Sequence, residues 1–277
     1  MLVERAEGIY SFSHLTLQEY LTAQYIDDHR QIETLVTEHL TDERWQEVFL
    51  LVAGLMRGGA DDLLLLMEKE AQKYINTPKL QALLRWAEQV TAGSESNLKP
   101  VAKRAIAIAY ANANALTNAL AYALAYAKVY ANAYALAYAL AYALGNAYAL
   151  GNAYANTNAN AITEAITYTR ELEELKVFKA INFTVLIARL EALKAKVPDD
   201  NQPKEVRLAF TKQFVQTLLK AFRLNPELVN LSEEEAQAWE NYFYGNYLMV
   251  QCKAAAVRVS PKVWAEIEER MLLVPNN

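Results

Sequence analysis

Between residues 105 and 163 the chain alternates. Alanine holds most of the odd positions, and Tyr, Leu or Asn most of the even ones. Tyr recurs at 122, 126, 130, 134, 138 and 142, with Leu interleaved at the same spacing. A strict period of two is the mark of a strand with an all-Ala face. Alanine is depleted in strands, however, and no turn signal interrupts 119–144, a run far longer than ordinary strands. Alanine is the best helix former, and side chains four apart are neighbours on a helix. The tract is therefore predicted to be helical. Unbroken, it would run about 90 Å at 1.5 Å per residue. A break near 112–118, or at Gly145-Asn146 and Gly151-Asn152, would fold it back as a hairpin, since Gly and Asn end helices. Two uses fit the tyrosines: a surface for a partner, or a plain spacer. The spacer reading asks less of so loosely specified a composition.

The flanking segments also read as helices. Eight Gly and seven Pro in 277 residues are too few for many short strands joined by tight turns. Residues 9–12 (IYSF) are the one strand candidate. Thr16 and Glu19 then have the spacing of a capping box, opening a helix whose expected buried stripe is Leu17, Tyr20, Leu21 and Tyr25 or Ile26. Further stripes are Ile32, Leu35, Val36, His39 and Leu40, then Trp45, Val48, Phe49, Val52 and Leu55, stopped by Gly58-Gly59. Asp61 or Asp62 can cap a helix carrying Leu63 to Met67. Thr77-Pro78 opens one with Leu80, Leu83, Leu84 and Ala87. Residues 91–100 (TAGSESNLKP) have the composition of a linker. Past the tract, one long helix is expected to run to about Val197. The next carries Val206, Phe210, Phe214, Leu218 and Phe222. Ser232 and Glu235 form a second capping box ahead of Trp239 and Phe243. Ser260-Pro261 starts a last helix with Val263, Trp264, Ile267 and Met271. The expected fold is all-α and multi-helical, with at most a short strand near 9–12. Two helical modules, 1–97 and 168–277, are joined by a helical tract over 98–167.

Several function classes are excluded. A net charge of −5 argues against a generic nucleic-acid binder, and no specific nucleic acid is expected. One Cys rules out a disulfide framework. The first residues lack the apolar stretch of a signal peptide. Lys128 is the only charge in 105–163, but Asn recurs throughout and no strongly apolar run of about 20 residues exists, so no membrane span is expected. No GxxxxGK[ST], HExxH, GxSxG or CxxC occurs, and GLMRGG at 54–59 is not a phosphate loop. No catalytic residue and no metal site is expected. Such a composition suits a soluble, cytoplasmic protein.

Three histidines remain. His39 lies on an apolar stripe and reads as a core or boundary residue. His29 follows Asp27-Asp28 and reads as a solvated helix cap. His14 stands between the strand candidate and a helix start, where an imidazole can donate to an anion near free N–H groups. The runs Glu171, Glu173-Glu174 and Glu233-Glu234-Glu235 read as structural helix acids. Cys252 reads as a buried thiol. The basic stretch 253–262 is too sparse for nucleic acid.

Residues 10–26 contain Phe12-Ser13-His14-Leu15-Thr16-Leu17-Gln18-Glu19-Tyr20. The phrase resembles the F-x-H-x-[ST]-[FL]-Q-E-[YF] signature that closes the winged-helix domain of NACHT-type STAND NTPases, the NLR receptors and their bacterial relatives. Residues 41–67 resemble the helical region that follows it in bacterial members, and 231–272 resemble their terminal helical module. The resemblance implies that 1–97 are the end of a winged-helix region plus a helical domain. It implies that His14 contacts the ADP β-phosphate and helps lock an inactive state. It further implies a C-terminal sensor, regulatory and assembly region, in antiphage or immune defence, with no catalysis of its own. The Walker-bearing NTPase core, with its ATP or ADP and Mg, is expected upstream, in cis or from a neighbouring gene. A trigger protein and an oligomer on activation are the further implied partners. The other reading is a stand-alone helical scaffold without nucleotide linkage.

Overall fold

The computed structural model describes residues 2–6, 9–12, 15–112, 159–179, 181–199 and 201–275. Among them the chain is all-α apart from one hairpin. The strand expected at 9–12 forms as β2 (Ile9–Phe12). It has an antiparallel partner, β1 (Leu2–Ala6), pairing Leu2 with Phe12 and Glu4 with Tyr10. The pattern did not announce β1. LVERA lacks apolar–polar alternation, so pairing rather than periodicity defines it. His14 and residues 113–158, with the expected breaks and the tyrosine surface, lie outside the described residues. The helices bordering that stretch are α6 (Pro100–Asn112) and α7 (Ala159–Leu175).

The chain divides into two compact units: Met1–Tyr74 with Asn241–Arg270, and Ile75–Glu240 with Met271–Asn277. The units therefore group the chain differently from the segments 1–97, 98–167 and 168–277, because residues beyond 240 return to pack with the first helices.

The first unit holds the hairpin, α1 (Leu15–Asp28), α2 (Ile32–His39), α3 (Gln46–Leu55) and α4 (Asp61–Gln72). It also holds residues 241–255 of α11 (Glu233–Ala255), and α12 (Pro261–Arg270). α1 packs on α3, and α2 and α12 pack on α4. The predicted stripes are buried as expected at Leu35, Val36, Leu40, Val48, Phe49, Val52, Leu63, Leu64, Met67 and Ile267. Gly245 lets α11 come close: a Cβ there would lie 3.2 Å from Ala71 Cβ and 3.4 Å from Leu40 Cδ2. Asp61 and Asp62 do not cap α4. They sit in its first turn, and Asp61 Oδ1 accepts the Ser260 N–H at 2.8 Å. Arg270 clamps the buried Glu68 carboxylate with two hydrogen bonds, of 2.9 and 2.7 Å.

The second unit contains α5 (Pro78–Thr91), α6, α7, α8 (Phe183–Lys194), α9 (Lys204–Ala221), the single turn α10 (Pro226–Val229) and the start of α11. Helix pairs α5–α6, α7–α8 and α8–α9 pack together. Thr77 Oγ1 accepts the Leu80 N–H at 3.3 Å ahead of Pro78, as its spacing predicts. The second capping box closes reciprocally. Ser232 N–H donates to Glu235 Oε2 at 2.9 Å, and Glu235 N–H to Ser232 Oγ at 3.1 Å.

Two expectations fail here. The helix expected to reach Val197 is two helices. α7 stops at Leu175, Lys176 adopts φ 52°, and Asn182 Oδ1 caps α8 by accepting the Val185 N–H at 3.0 Å. Hydrogen bonds to a segment distant in sequence hold the break open: Lys179 N–H donates to the Val90 carbonyl at 2.7 Å, and Ser96 N–H to the Lys176 carbonyl at 3.2 Å. Segment 92–99 is thus a tied loop within one unit, although its composition is that of a linker. Val206 is also exposed rather than buried.

Phe222, the C-cap of α9, stands at the centre of this unit. Its ring lies 3.9 Å from that of Tyr110, 4.9 Å from Phe178 and 6.2 Å from Phe183, centroid to centroid. Its carbonyl accepts the buried Trp86 indole N–H at 2.9 Å. Phe222→Ala should cost about 3–5 kcal/mol, the range for truncating a buried aromatic side chain. Urea unfolding followed by Trp fluorescence measures it, and a loss below about 1 kcal/mol would deny Phe222 this role.

Candidate functional site

His14, the one residue singled out for a ligand contact, is outside the described residues, so its surroundings are read from α1, which begins immediately after it. Starting at Leu15, α1 places Thr16 inside its first turn instead of at its cap. It ends in a Schellman turn on Arg30 (φ 55°), with Gln31 N–H donating to the Ile26 carbonyl at 2.9 Å and Arg30 N–H to the Asp27 carbonyl at 3.2 Å.

α1 is where burial departs furthest from the pattern. Only Ala23 and Ile26 are fully buried, and Leu17 is half-buried. Leu15, Tyr20, Leu21 and Tyr25 are 68%, 42%, 43% and 52% exposed. The sequence carries apolar residues on two faces of the helix. α1 packs on α3 and buries Ala23 and Ile26, while Leu21 and Tyr25, four residues apart on the opposite side, are left exposed and Leu17 half-buried. Tyr25 is stacked on His29 at 4.0 Å, and His29 Nδ1 donates to the Tyr25 carbonyl at 2.8 Å, which makes His29 a surface cap.

Beside α1 lies an open groove of about 820 Å³, walled by Leu15, Gln18 and Glu19 on one side and by Glu43, Arg44 and Glu47 on the other. Arg44 is already engaged. Its Nε and Nη2 grip Asp42 Oδ1 and Oδ2 at 2.9 and 2.7 Å, and its N–H donates to Asp42 Oδ1 at 3.1 Å. The Arg44 side chain holds the Asp42 carboxyl down at about 2. Three carboxylates, with the one cation committed, do not fit a nucleotide phosphate. Asp42 was not singled out from the sequence. The available signal was an Asp immediately before an apolar-periodic run, an ordinary N-cap pattern.

The remaining candidates have structural places. His39 closes α2 and stacks on Trp45 at 3.7 Å, nearly parallel, as a boundary histidine. Glu235 bonds Lys79 Nζ at 2.8 Å. Burial alone would raise its carboxyl, but the bonds from Lys79, the Ser232 backbone and Thr77 outweigh that and hold it below the ordinary range. Cys252 is buried, and desolvation pushes its thiol well up, so the thiolate is disfavoured. In the basic stretch, Lys253 lies 5.8 Å from the Trp264 ring centre and the Arg258 carbonyl accepts the Ala60 N–H at 3.0 Å. Among the described residues, no three His, Cys, Asp or Glu side chains are grouped to hold a metal ion, and no helix is long and apolar enough to cross a membrane.

Residues 186–274 match the family described as NACHT C-terminal Helical domain 2. The chain carries a NACHT-associated C-terminal helical region. The matched residues run from within α8 through α12. No curated protein and no solved structure matches the chain. The match agrees with the resemblance seen at 231–272 and extends it towards α8 and α9.

The Asp42–Arg44 pair has a direct readout. Asp42 is depressed from its ordinary 3.8 to about 2, so its contribution to folding is complete above the ordinary value and is lost as pH falls through the folded one. Carboxyl NMR should find Asp42 still ionised at pH 3, and Arg44→Ala, which keeps only the backbone N–H donor at 44, should move its midpoint up towards the ordinary value. A wild-type midpoint near 3.8 would show that the fork does not form in solution.

Proposed function

We propose that this chain is the C-terminal regulatory and assembly region of a NACHT-family signalling ATPase acting in prokaryotic antiphage or immune defence. The family match over 186–274 carries this reading. The outward apolar line of α1 supports it from the other end of the chain. Soluble proteins bury such a line against something, and the phrase containing it resembles the end of a winged-helix domain. In this reading α1 docks on the NTPase core through Leu21 and Tyr25. His14, next to the start of α1, reaches the phosphate of an ADP that the core itself holds with Mg. The acid-walled groove beside α1 holds no nucleotide of its own. The terminal helical region meets the trigger or a neighbouring subunit, and the chain hydrolyses no ATP by itself.

Docking is tested with Leu21→Glu combined with Tyr25→Glu. Both residues are about half exposed, so thermal melting of the chain should shift by no more than a few degrees. Co-purification with the Walker-bearing core, in cis after a cleavable linker or from the adjacent reading frame, should fall at least tenfold. Unchanged capture at unchanged stability would remove α1 as the docking face. In the same assembly His14→Ala should speed ADP loss or raise basal signalling. Unaltered nucleotide retention together with unaltered signalling would remove the phosphate contact. ATP turnover by the chain alone, abolished by a substitution within it, would overturn the regulatory reading.

A further inference from the structure

The helices α8 and α9 flank a second groove, of about 500 Å³, and six of the eight side chains that line it can donate hydrogen bonds: Arg189 and Lys196 from one wall, and Gln213, Gln216, Thr217 and Lys220 from the other. No carboxylate lines it. Among the described residues none of the three cations has a carboxylate within ion-pairing distance, and Glu191 of the same helix is taken by Arg170 at 3.5 Å. The surroundings are basic. Residues 186–223 contain eight Lys and Arg against four Asp and Glu, in a chain of net charge −5. Helix dipoles account for part of this, because Lys220 is in the last turn of α9 and Lys196 lies just past α8. They do not account for Arg189, in the middle of α8, or for the amide and hydroxyl donors.

We propose that this groove binds duplex nucleic acid through its phosphate backbone, without reading base sequence. Arg, Lys, Gln and Thr side chains are the usual partners of phosphate oxygens. Donors seven residues apart on each wall span about 10 Å. One duplex strand presents a phosphate about every 3.4 Å along the axis, so that span faces about three. No aromatic ring lines the groove, which removes the stacking platform that single strands require. An acidic protein helix would need an apolar seam as well as cations. The groove supplies only Ala192 and the buried Leu193. Net negative charge elsewhere confines binding to this face, so the groove differs from the generic basic surface that the composition excludes.

The test is fluorescence anisotropy of the full chain with fluorescein-labelled, random-sequence duplexes of about 20 bp, one of DNA and one of RNA. Saturable binding is expected to at least one duplex, and the tighter of the two identifies which kind the groove takes. Three neutralised phosphates give a slope of log Kobs against log[salt] near −2.7, or about a 40-fold loss between 50 and 200 mM salt. Combining Arg189→Gln, Lys196→Gln and Lys220→Gln should weaken binding at least tenfold at 50 mM salt and flatten the slope. Combining Arg57→Gln, Lys69→Gln and Lys262→Gln, which removes the same charge from exposed cations elsewhere, should change binding by less than about twofold. Circular-dichroism melting confirms that both variants fold. The proposal fails if neither duplex binds at 50 mM salt, or if both variants weaken binding equally. It also fails if the matching single strand binds more tightly, or if polyglutamate of equal charge displaces the duplex.

Discussion

The carbonyl of Phe222 accepts a hydrogen bond from the indole of Trp86 at the centre of the second unit, and the packing of that unit converges there. The donor and the acceptor are both buried, so each would lose much if the other were absent. The ring of the same residue lies amid Tyr110, Phe178 and Phe183. One residue therefore joins α5, α6, the loop after α7, α8 and the end of α9. A backbone carbonyl is free for this role only because α9 stops here. Arg223 turns into the left-handed region (φ 54°), and Leu224 N–H closes on the Leu219 carbonyl at 2.9 Å. A second anchoring carbonyl, that of Met271, accepts from Nε and Nη2 of the buried Arg104 at 3.0 and 2.7 Å, and Leu272 (φ 58°) follows it.

These turns are made without glycine. Arg30, Lys176, Arg223 and Leu272 all adopt positive φ, each at a cost of about 1–2 kcal/mol relative to a glycine. Such ends persist because tertiary contacts hold the neighbouring residues. Phe222 is buried beside Arg223. The Lys176 carbonyl is taken by Ser96 N–H, and its ammonium lies 3.1 Å from Glu95. A helix end of this kind leaves no mark in a glycine count, which is why the break between α7 and α8 was invisible as a stop. The capping Asn182 was its one local trace.

The face of α1 illustrates the opposite difficulty. Its apolar spacing was legible, and so was the helix. A helix that carries apolar residues on two faces does not say which face its neighbours cover. α1 packs on α3 with Ala23 and Ile26 buried, and Leu21 and Tyr25 were left to solvent. The second groove was even less legible. Arg189 and Lys220 are 31 positions apart in the sequence and meet only because α8 packs on α9.

By itself the sequence determined the all-α class, most of the buried stripes, and the starts of α5 and α11, because these depend on spacing within a few residues and on side chains bonding to their own backbone. The resemblance at its carboxy-terminal end was also legible, since it rests on a contiguous stretch. Only the tertiary structure decided the strand β1, the split of α7 from α8, the grouping of residues 241–270 with the first helices, and the face of α1 left exposed. Each of these is settled by a partner distant in the chain, and the burial or hydrogen bond that the partner supplies outweighs local preference.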